Sequence, residues 1–328
     1  MSHQIRVAIA GYGNLGRGVE AALAQNPDMR LVGVFSRRDP VSVTLLDTSV
    51  PVYAMADIEQ YQEEVDVMIL CGGSKSDLPE QGPYLAQFFN TVDSFDTHAK
   101  VPEYYSALDQ SARDAGRVAL LSVGWDPGLF SLNRLYGEAI LPEGETYTFW
   151  GKGLSQGHSD AVRRVAGVKS GVQYTLPSEE AIARVRSGER PELSTREKHK
   201  RQCFIVLEEG ADADTVRDTI VTMPDYFADY DTEVNFIDQD IFKKEHSTMP
   251  HGGFVIRSGN TGVDSKQTIE YSLALDSNPE FTASVLVAYA RAVHRLARVN
   301  DIGAKTVFDI APGLLSPKSP AQLRKELL

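Results

Sequence analysis

The chain has 328 residues, enough for about two domains and a large core without disulfides. Its 42% hydrophobic and 24% charged residues are ordinary for a globular protein, and a net charge of −12 argues against nucleic acid or an anionic membrane surface as a main partner. The two cysteines, Cys71 and Cys203, have no disulfide or metal spacing, no apolar stretch has membrane-spanning length, and the start of the chain leads straight into a strand pattern rather than a signal peptide; a cytoplasmic enzyme is the class expected.

The first apolar run, residues 5–10, leads into Gly11-Tyr12-Gly13-Asn14-Leu15-Gly16 and then a helical pattern from 17 to 24. Strand, glycine turn and helix in this order suit a dinucleotide. Gly11 permits the turn, Gly13 lets backbone approach a pyrophosphate, Gly16 lets the helix pack closely, and the helix N-terminus offers N–H groups to phosphate. The next run, 31–35, ends in Ser36-Arg37-Arg38 where an NAD site would carry an acid for the ribose 2′-hydroxyl. Two guanidinium groups suit a 2′-phosphate, so the cofactor expected is NADP.

Further runs at 67–71, 91–93 and 118–122 alternate with helical patterns at 84–89 and 102–115. This is βα alternation, hence a doubly wound parallel sheet buried on both faces. Strand ends are where its ligands bind. After 67–71 come Gly72, Gly73 and Ser74, small enough to lie against a cofactor. Cys71, inside that apolar run, reads as a buried thiol, and Cys71–Ser74 complete the expected cofactor set. After 91–93 comes Asp96, and after 118–122 comes Gly124-Trp125-Asp126-Pro127-Gly128. Two strand ends thus carry a carboxylate near an aromatic, a pair able to hold an ammonium and take a proton from it. Asp126 before Pro127 also reads as a helix N-cap.

From about 146 the rhythm changes to strand patterns at 146–150, 171–176, 202–207, 232–237, 252–257 and 268–275, with helical patterns at 160–165, 179–186, 214–222 and 281–299. A second, α+β domain with a mixed sheet is expected over 125–300, the long last helix buried or at a subunit contact. The tail from 301 to 328 is expected to pack back onto the first domain, 1–124. Histidines 158, 199 and 251 lack metal-site spacing, so no metal is expected.

Gly11–Arg17, Phe35–Arg38, Thr91–Asp96, Gly124–Gly128, Phe149–Asp160, Gln173–Ser178, His199–Phe204 and Met249–Gly253, taken in order, closely resemble the NADP-dependent meso-diaminopimelate dehydrogenase family over essentially the whole chain. The resemblance implies reversible oxidative deamination of meso-2,6-diaminopimelate at its D-centre, giving L-2-amino-6-oxopimelate (which cyclises to tetrahydrodipicolinate) and ammonia. It places the chain in lysine and diaminopimelate biosynthesis and implies a homodimer. Carried over by motif, Asp96 and Asp126 hold the D-centre amine, and either of them, or a water between them, takes its proton. Trp125 lies near the D-carboxylate. Trp150, Gln156, Gly157 and Asp160 shape the pocket, and Thr175, Arg201 and His251 bind the distal L-centre, mainly its carboxylate. One departure is the lack of an Asn just before Thr268, where the chain reads Gly262-Val263-Asp264-Ser265-Lys266-Gln267. Rival readings are a dihydrodipicolinate reductase-like or homoserine dehydrogenase-like reductase, or a non-catalytic NADP-sensing regulator.

Overall fold

A computed structural model describes residues 4–328. The chain divides into two units, one reaching to Leu132 and resuming over Pro279–Leu328, the other Asn133–Asn278.

The first unit runs β1 (Ile5–Ala10), α1 (Asn14–Ala24), β2 (Met29–Ser36), β3 (Val52–Ala54), β4 (Val67–Leu70), α2 (Leu78–Leu85), β5 (Thr91–Asp93), α3 (Val101–Asp114) and β6 (Val118–Leu120). Helix α4 (Leu129–Ile140) leads out of it. The second unit holds β7 (Gly144–Trp150), β8 (Gly153–Leu154), α5 (Gln156–Arg163), β9 (Val168–Pro177), α6 (Glu179–Arg186), α7 (Thr195–Lys198), β10 (His199–Leu207), α8 (Ala213–Val221), β11 (Asp231–Phe236), α9 (Gln239–Glu245), β12 (His251–Asn260) and β13 (Lys266–Leu275). The chain then returns through α10 (Asn278–Arg298), β14 (Gly303–Lys305) and α11 (Pro320–Leu327).

The first unit is a seven-stranded parallel sheet in the order β14-β6-β5-β4-β1-β2-β3. Side chains alternate between two buried faces, which explains the unbroken apolar runs. Val7, Ile9, Val67 and Ile69 pack toward α1 and α10, whereas Ala8, Ala10, Met68 and Leu70 pack toward α2 and α3. The strand order turns about β1, so a crevice opens at the carboxyl ends of β1 and its neighbours.

The second unit has a mixed sheet, β11-β10-β9-β8, in which only β10 and β11 are parallel, and an antiparallel sheet, β13-β12-β7. Phe149, Ile182, Val185 and Ile256 fill the core under α6, while Val162, Cys203, Ile205 and Ile220 fill that between α5, α8 and the mixed sheet.

Several expectations need correction. The long helix falls in the first unit, where Leu286, Val287, Ala290 and Val293 join its core. The boundaries therefore lie near 132 and 279, not 124 and 300. Helix α2 starts before the pattern at 84–89, directly after the glycine loop. Asp126 is not the N-cap of α4, which begins at Leu129 after a turn closed by Leu129 N–H to Gly124 O (3.0 Å) and Phe130 N–H to Trp125 O (2.8 Å). Strands β3 and β14 and helices α4 and α9 had no distinct sequence signal.

Candidate active site

The first unit carries a cleft of about 430 Å³ lined by Gly11, Tyr12, Gly13, Asn14, Arg17, Ser36, Arg37, Arg38, Met55, Cys71, Gly72, Asp77 and Gln81. Gly11 has φ +97°, a conformation side chains resist. A Cβ on Gly16 would stand 2.4 Å from Gly11 O, so α1 packs against its own turn only as glycine. Beside Gly13, by contrast, the space is open. Helix α1 has no acidic residue in its first turn and no side-chain cap, which leaves its N-terminus suited to phosphate.

The basic pair stands at this cleft. Arg38 Nη2 donates to Tyr12 O (2.6 Å), and its N–H donates to Ser36 Oγ (3.0 Å). Arg37 pairs with Asp77 at 2.8 Å, while Asp77 also accepts the Gly73 N–H (2.7 Å). That amide, more than Arg37, holds the Asp77 carboxyl below its ordinary range. The residues present fit NADP: an open glycine turn at a helix N-terminus for the pyrophosphate, and Ser36, Arg37 and Arg38 for a 2′-phosphate.

Four expected cofactor residues do not line this cleft, and Gly16 among them has the packing role expected of it. Leu15 packs against the core, Gly16 serves helix packing, Gly73 holds Asp77, and Ser74 ties two loops together. Cys71 is not sealed in the core; it is partly exposed and lines the cleft. Arg17, Met55, Asp77 and Gln81 were missed. Only the fold brings α2 and the 3-10 turn Met55–Tyr61 to the cleft, so no local signal marks them.

Further along the same sheet edge, Ser74 Oγ accepts the N–H groups of Asp96 (2.9 Å) and Thr97 (3.2 Å). This joins the loops after β4 and β5. Asp96 is exposed and Asp126 half-buried. Trp125 is buried, edge-on to Phe130 at 5.3 Å.

The second unit gathers a different set. Thr175 on β9 and Arg201 on β10 are register partners, and Arg201 Nη1 donates to Thr175 Oγ1. Arg201 is 7% exposed and lies 3.9 Å over the Tyr230 ring. Its Nε has no partner, and it forms no ion pair among the described residues. Gln173, fully buried, donates to Thr175 Oγ1 (3.4 Å), and its own Oε1 is unpartnered. A buried cation without an anion is costly and asks for one from outside.

Neighbouring histidines stay neutral. Burial, then the charge of Arg201, pushes His158 and His199 down to about 4. His199 Nε2 accepts the Trp150 N–H (2.9 Å) and its ring stacks on Trp150 at 5.3 Å. His251 Nδ1 lies 2.8 Å from the Gly252 N–H, from which it accepts. Gln156 Nε2 donates to Met249 Sδ (3.4 Å). Gly157 is exposed on α5, and Asp160 pairs with Arg163 on the same helix. The stretch 262–267, where the resemblance expects an Asn, is the exposed turn between β12 and β13 together with the first two residues of β13. Just beyond β13, Asn278 donates its main-chain N–H to the carbonyl of Met249 (2.9 Å), whose sulfur accepts from Gln156.

The Diaminopimelic acid dehydrogenase C-terminal domain family matches residues 124–277. The meso-diaminopimelate D-dehydrogenase of Lysinibacillus sphaericus is 66% identical over 324 residues, 99% of each chain. The chain belongs to the meso-diaminopimelate D-dehydrogenase family. Among solved structures, the Corynebacterium glutamicum DAP dehydrogenase in complex with DAP superimposes on the chain with a TM-score of 0.91 at 51% identity, covering all of both chains. An engineered D-amino acid dehydrogenase bound to NADP+ superimposes with a TM-score of 0.86 at 50% identity, covering 99% of this chain and all of that one. Full-length kinship at this level sets the reductase and regulator readings aside. Among the described residues, no three metal-ligating side chains gather and no helix is long and apolar enough to cross a membrane.

Proposed function

We propose that this protein is an NADP-dependent amino acid dehydrogenase that reversibly deaminates meso-2,6-diaminopimelate at its D-centre, releasing ammonia and L-2-amino-6-oxopimelate. The observation that carries the substrate assignment is Arg201: a buried guanidinium with no anionic partner among the described residues, set against Thr175. It takes the distal carboxylate, with Thr175 and His251 as neighbouring donors and Trp150, Gln156, Gly157 and Asp160 shaping the pocket. NADP+, held by the glycine turn, Ser36, Arg37 and Arg38, supplies the hydride acceptor. Asp96 and Asp126 hold the D-centre ammonium, and one of them, or a water between them, takes the proton that must leave before the C–H bond breaks. Trp125 stands beside the D-carboxylate. Water then converts the resulting imine to ketone and ammonia. The working assembly is a homodimer in the cytoplasm, as the family resemblance supports.

A substrate panel tests this reading. Ammonia release with NADP+ is expected from meso-diaminopimelate and not from the LL isomer, and Arg201→Met is expected to cut use of diaminopimelate relative to simple D-amino acids. An unchanged ranking in Arg201→Met would refute the role of Arg201, and turnover of the LL isomer would refute the D-centre assignment.

A further inference from the structure

Strand β5 ends in a buried carboxylate. Asp93 is fully buried, and among the described residues it has no ion pair. All its partners donate to it. Oδ1 accepts the N–H of Phe95 (2.9 Å) and of Ser122 (3.2 Å), Oδ2 accepts the Tyr104 hydroxyl (2.7 Å), and the main-chain carbonyl accepts the Val123 N–H (2.9 Å). Burial pushes this carboxyl up to about 6 against the pull of its three donors. A buried carboxylate is expensive, and an apolar residue would fill the space without that cost.

What the carboxylate joins explains its presence. Phe95 is the second residue of the loop that carries Asp96. Ser122 is the second residue of the loop that carries Trp125 and Asp126. Ser122 has φ +58°, a strained conformation for a residue with a Cβ, and such strain persists only where the surroundings fix it. Its own hydroxyl has no hydrogen-bond partner, so the bend is held from Asp93. Tyr104, stacked on Phe95 at 4.2 Å, fixes the plane of the carboxylate from α3.

We propose that Asp93, oriented by Tyr104, is a positioning residue that fixes the spacing of the two strand-end loops and so sets Asp96 and Asp126 for the substrate ammonium. This rests on the assignment of Asp96 and Asp126 to the amine. Asp93 acts through them.

The experiment compares kcat, KM and NADP+ affinity in Asp93→Ala, Asp93→Asn and Tyr104→Phe, with Leu108→Ala as a control for lost stability, since Leu108 is buried on the same helix as Tyr104. Misplaced loops are expected to lower kcat in Asp93→Ala on the order of 10- to 100-fold, with NADP+ affinity unchanged. Asparagine keeps an oxygen for both backbone N–H groups, so Asp93→Asn is expected to recover to within about 3-fold of the parent. Tyr104→Phe is expected to lower kcat per folded molecule where Leu108→Ala does not, a comparison that stands even if Asp93→Ala fails to fold. The proposal is overturned if Asp93→Asn is as slow as Asp93→Ala, or if kcat follows stability alike in Tyr104→Phe and Leu108→Ala. Asp96→Asn and Asp126→Asn separate the two layers. If both turn over normally, the amine assignment fails and takes this proposal with it. If they are slow while the Asp93 and Tyr104 variants are not, only the positioning role fails.

Discussion

At the scale of single residues, the proposed phosphate contacts rest on two cations. Arg37 and Arg38 stand at one cleft of a chain with net charge −12, and each charge-assisted bond to a phosphate contributes about 1.5–3 kcal/mol. Replacing both with neutral residues is expected to raise the NADP+ KM by roughly 10- to 150-fold per lost bond while changing NAD+ use little. Equal losses with both cofactors would show that the arginines do not read the 2′-phosphate. Buried titratable groups make a second prediction. His158 and His199 titrate near 4 in the fold against 6.5 in the unfolded chain, so between those values the unfolded chain takes up protons that the fold refuses. Stability from these two is present above 6.5 and is lost as pH falls toward 4. Asp93 works in the opposite sense, since its folded value of about 6 lies above its ordinary 3.8. Two histidines outweigh one carboxyl, so denaturation midpoints are expected to fall between neutral pH and about pH 5, and His199→Gln to flatten that slope. An unaltered slope in that variant would exclude His199 as a source. The place of the arginine pair at the cleft was legible in sequence because a glycine turn and helix between two parallel strands bring the end of the second strand beside the turn. The partner of Arg37, Asp77, was not, because only the parallel pairing of β1 with both β2 and β4 brings the two loops together.

At the scale of elements, period and burial agree for most of the chain. Helix α6 was read with its observed ends, and β10, β12 and β13 were recognised but read short, since polar end residues such as His199, Lys266 and Gln267 still join the ladders. Helix α10 shows the limit of that reading. Its apolar residues announced burial, but a buried helix is equally at home in either unit. What assigns it is Arg291, 1% exposed, whose guanidinium pairs with Asp28 at 2.6 Å and donates to Asn26 Oδ1 (2.8 Å) and Leu315 O (2.6 Å). Arg291 in turn holds the Asp28 carboxyl below its usual range. One side chain thus joins α10 to the turn before β2 and to the chain after β14. Arg291→Met is expected to cost about 3 kcal/mol, because Asp28 and the Leu315 carbonyl lose their donor, and to expose Pro312–Leu315 to proteases. Denaturation curves with limited proteolysis check it, and a cost below about 1 kcal/mol would make the network incidental.

At the scale of the whole molecule, the fold is a discontinuous parallel-sheet unit with a mixed-sheet unit inserted between its β6 and β14. The proposed cofactor residues belong to the first unit, and Thr175, Arg201 and His251 to the second. NADP+ at a hundred times its Kd stabilises what it binds by about 2.7 kcal/mol. Slower hydrogen exchange is therefore expected first in the first unit, including α10 and β14, although these lie far from the glycine turn in sequence. Protection confined to 133–278 would contradict the cofactor assignment. The sequence by itself determined the alternation of strand and helix, the glycine turn, the basic pair and the family, because each is a local pattern that short-range sterics and charge impose wherever the chain goes. Only the tertiary structure decided that Arg201 is buried with no anion among the described residues, that α10 closes the first core, and that Asp93 joins two loops, because burial and pairing are set by partners distant in the chain, and no short window of sequence contains them.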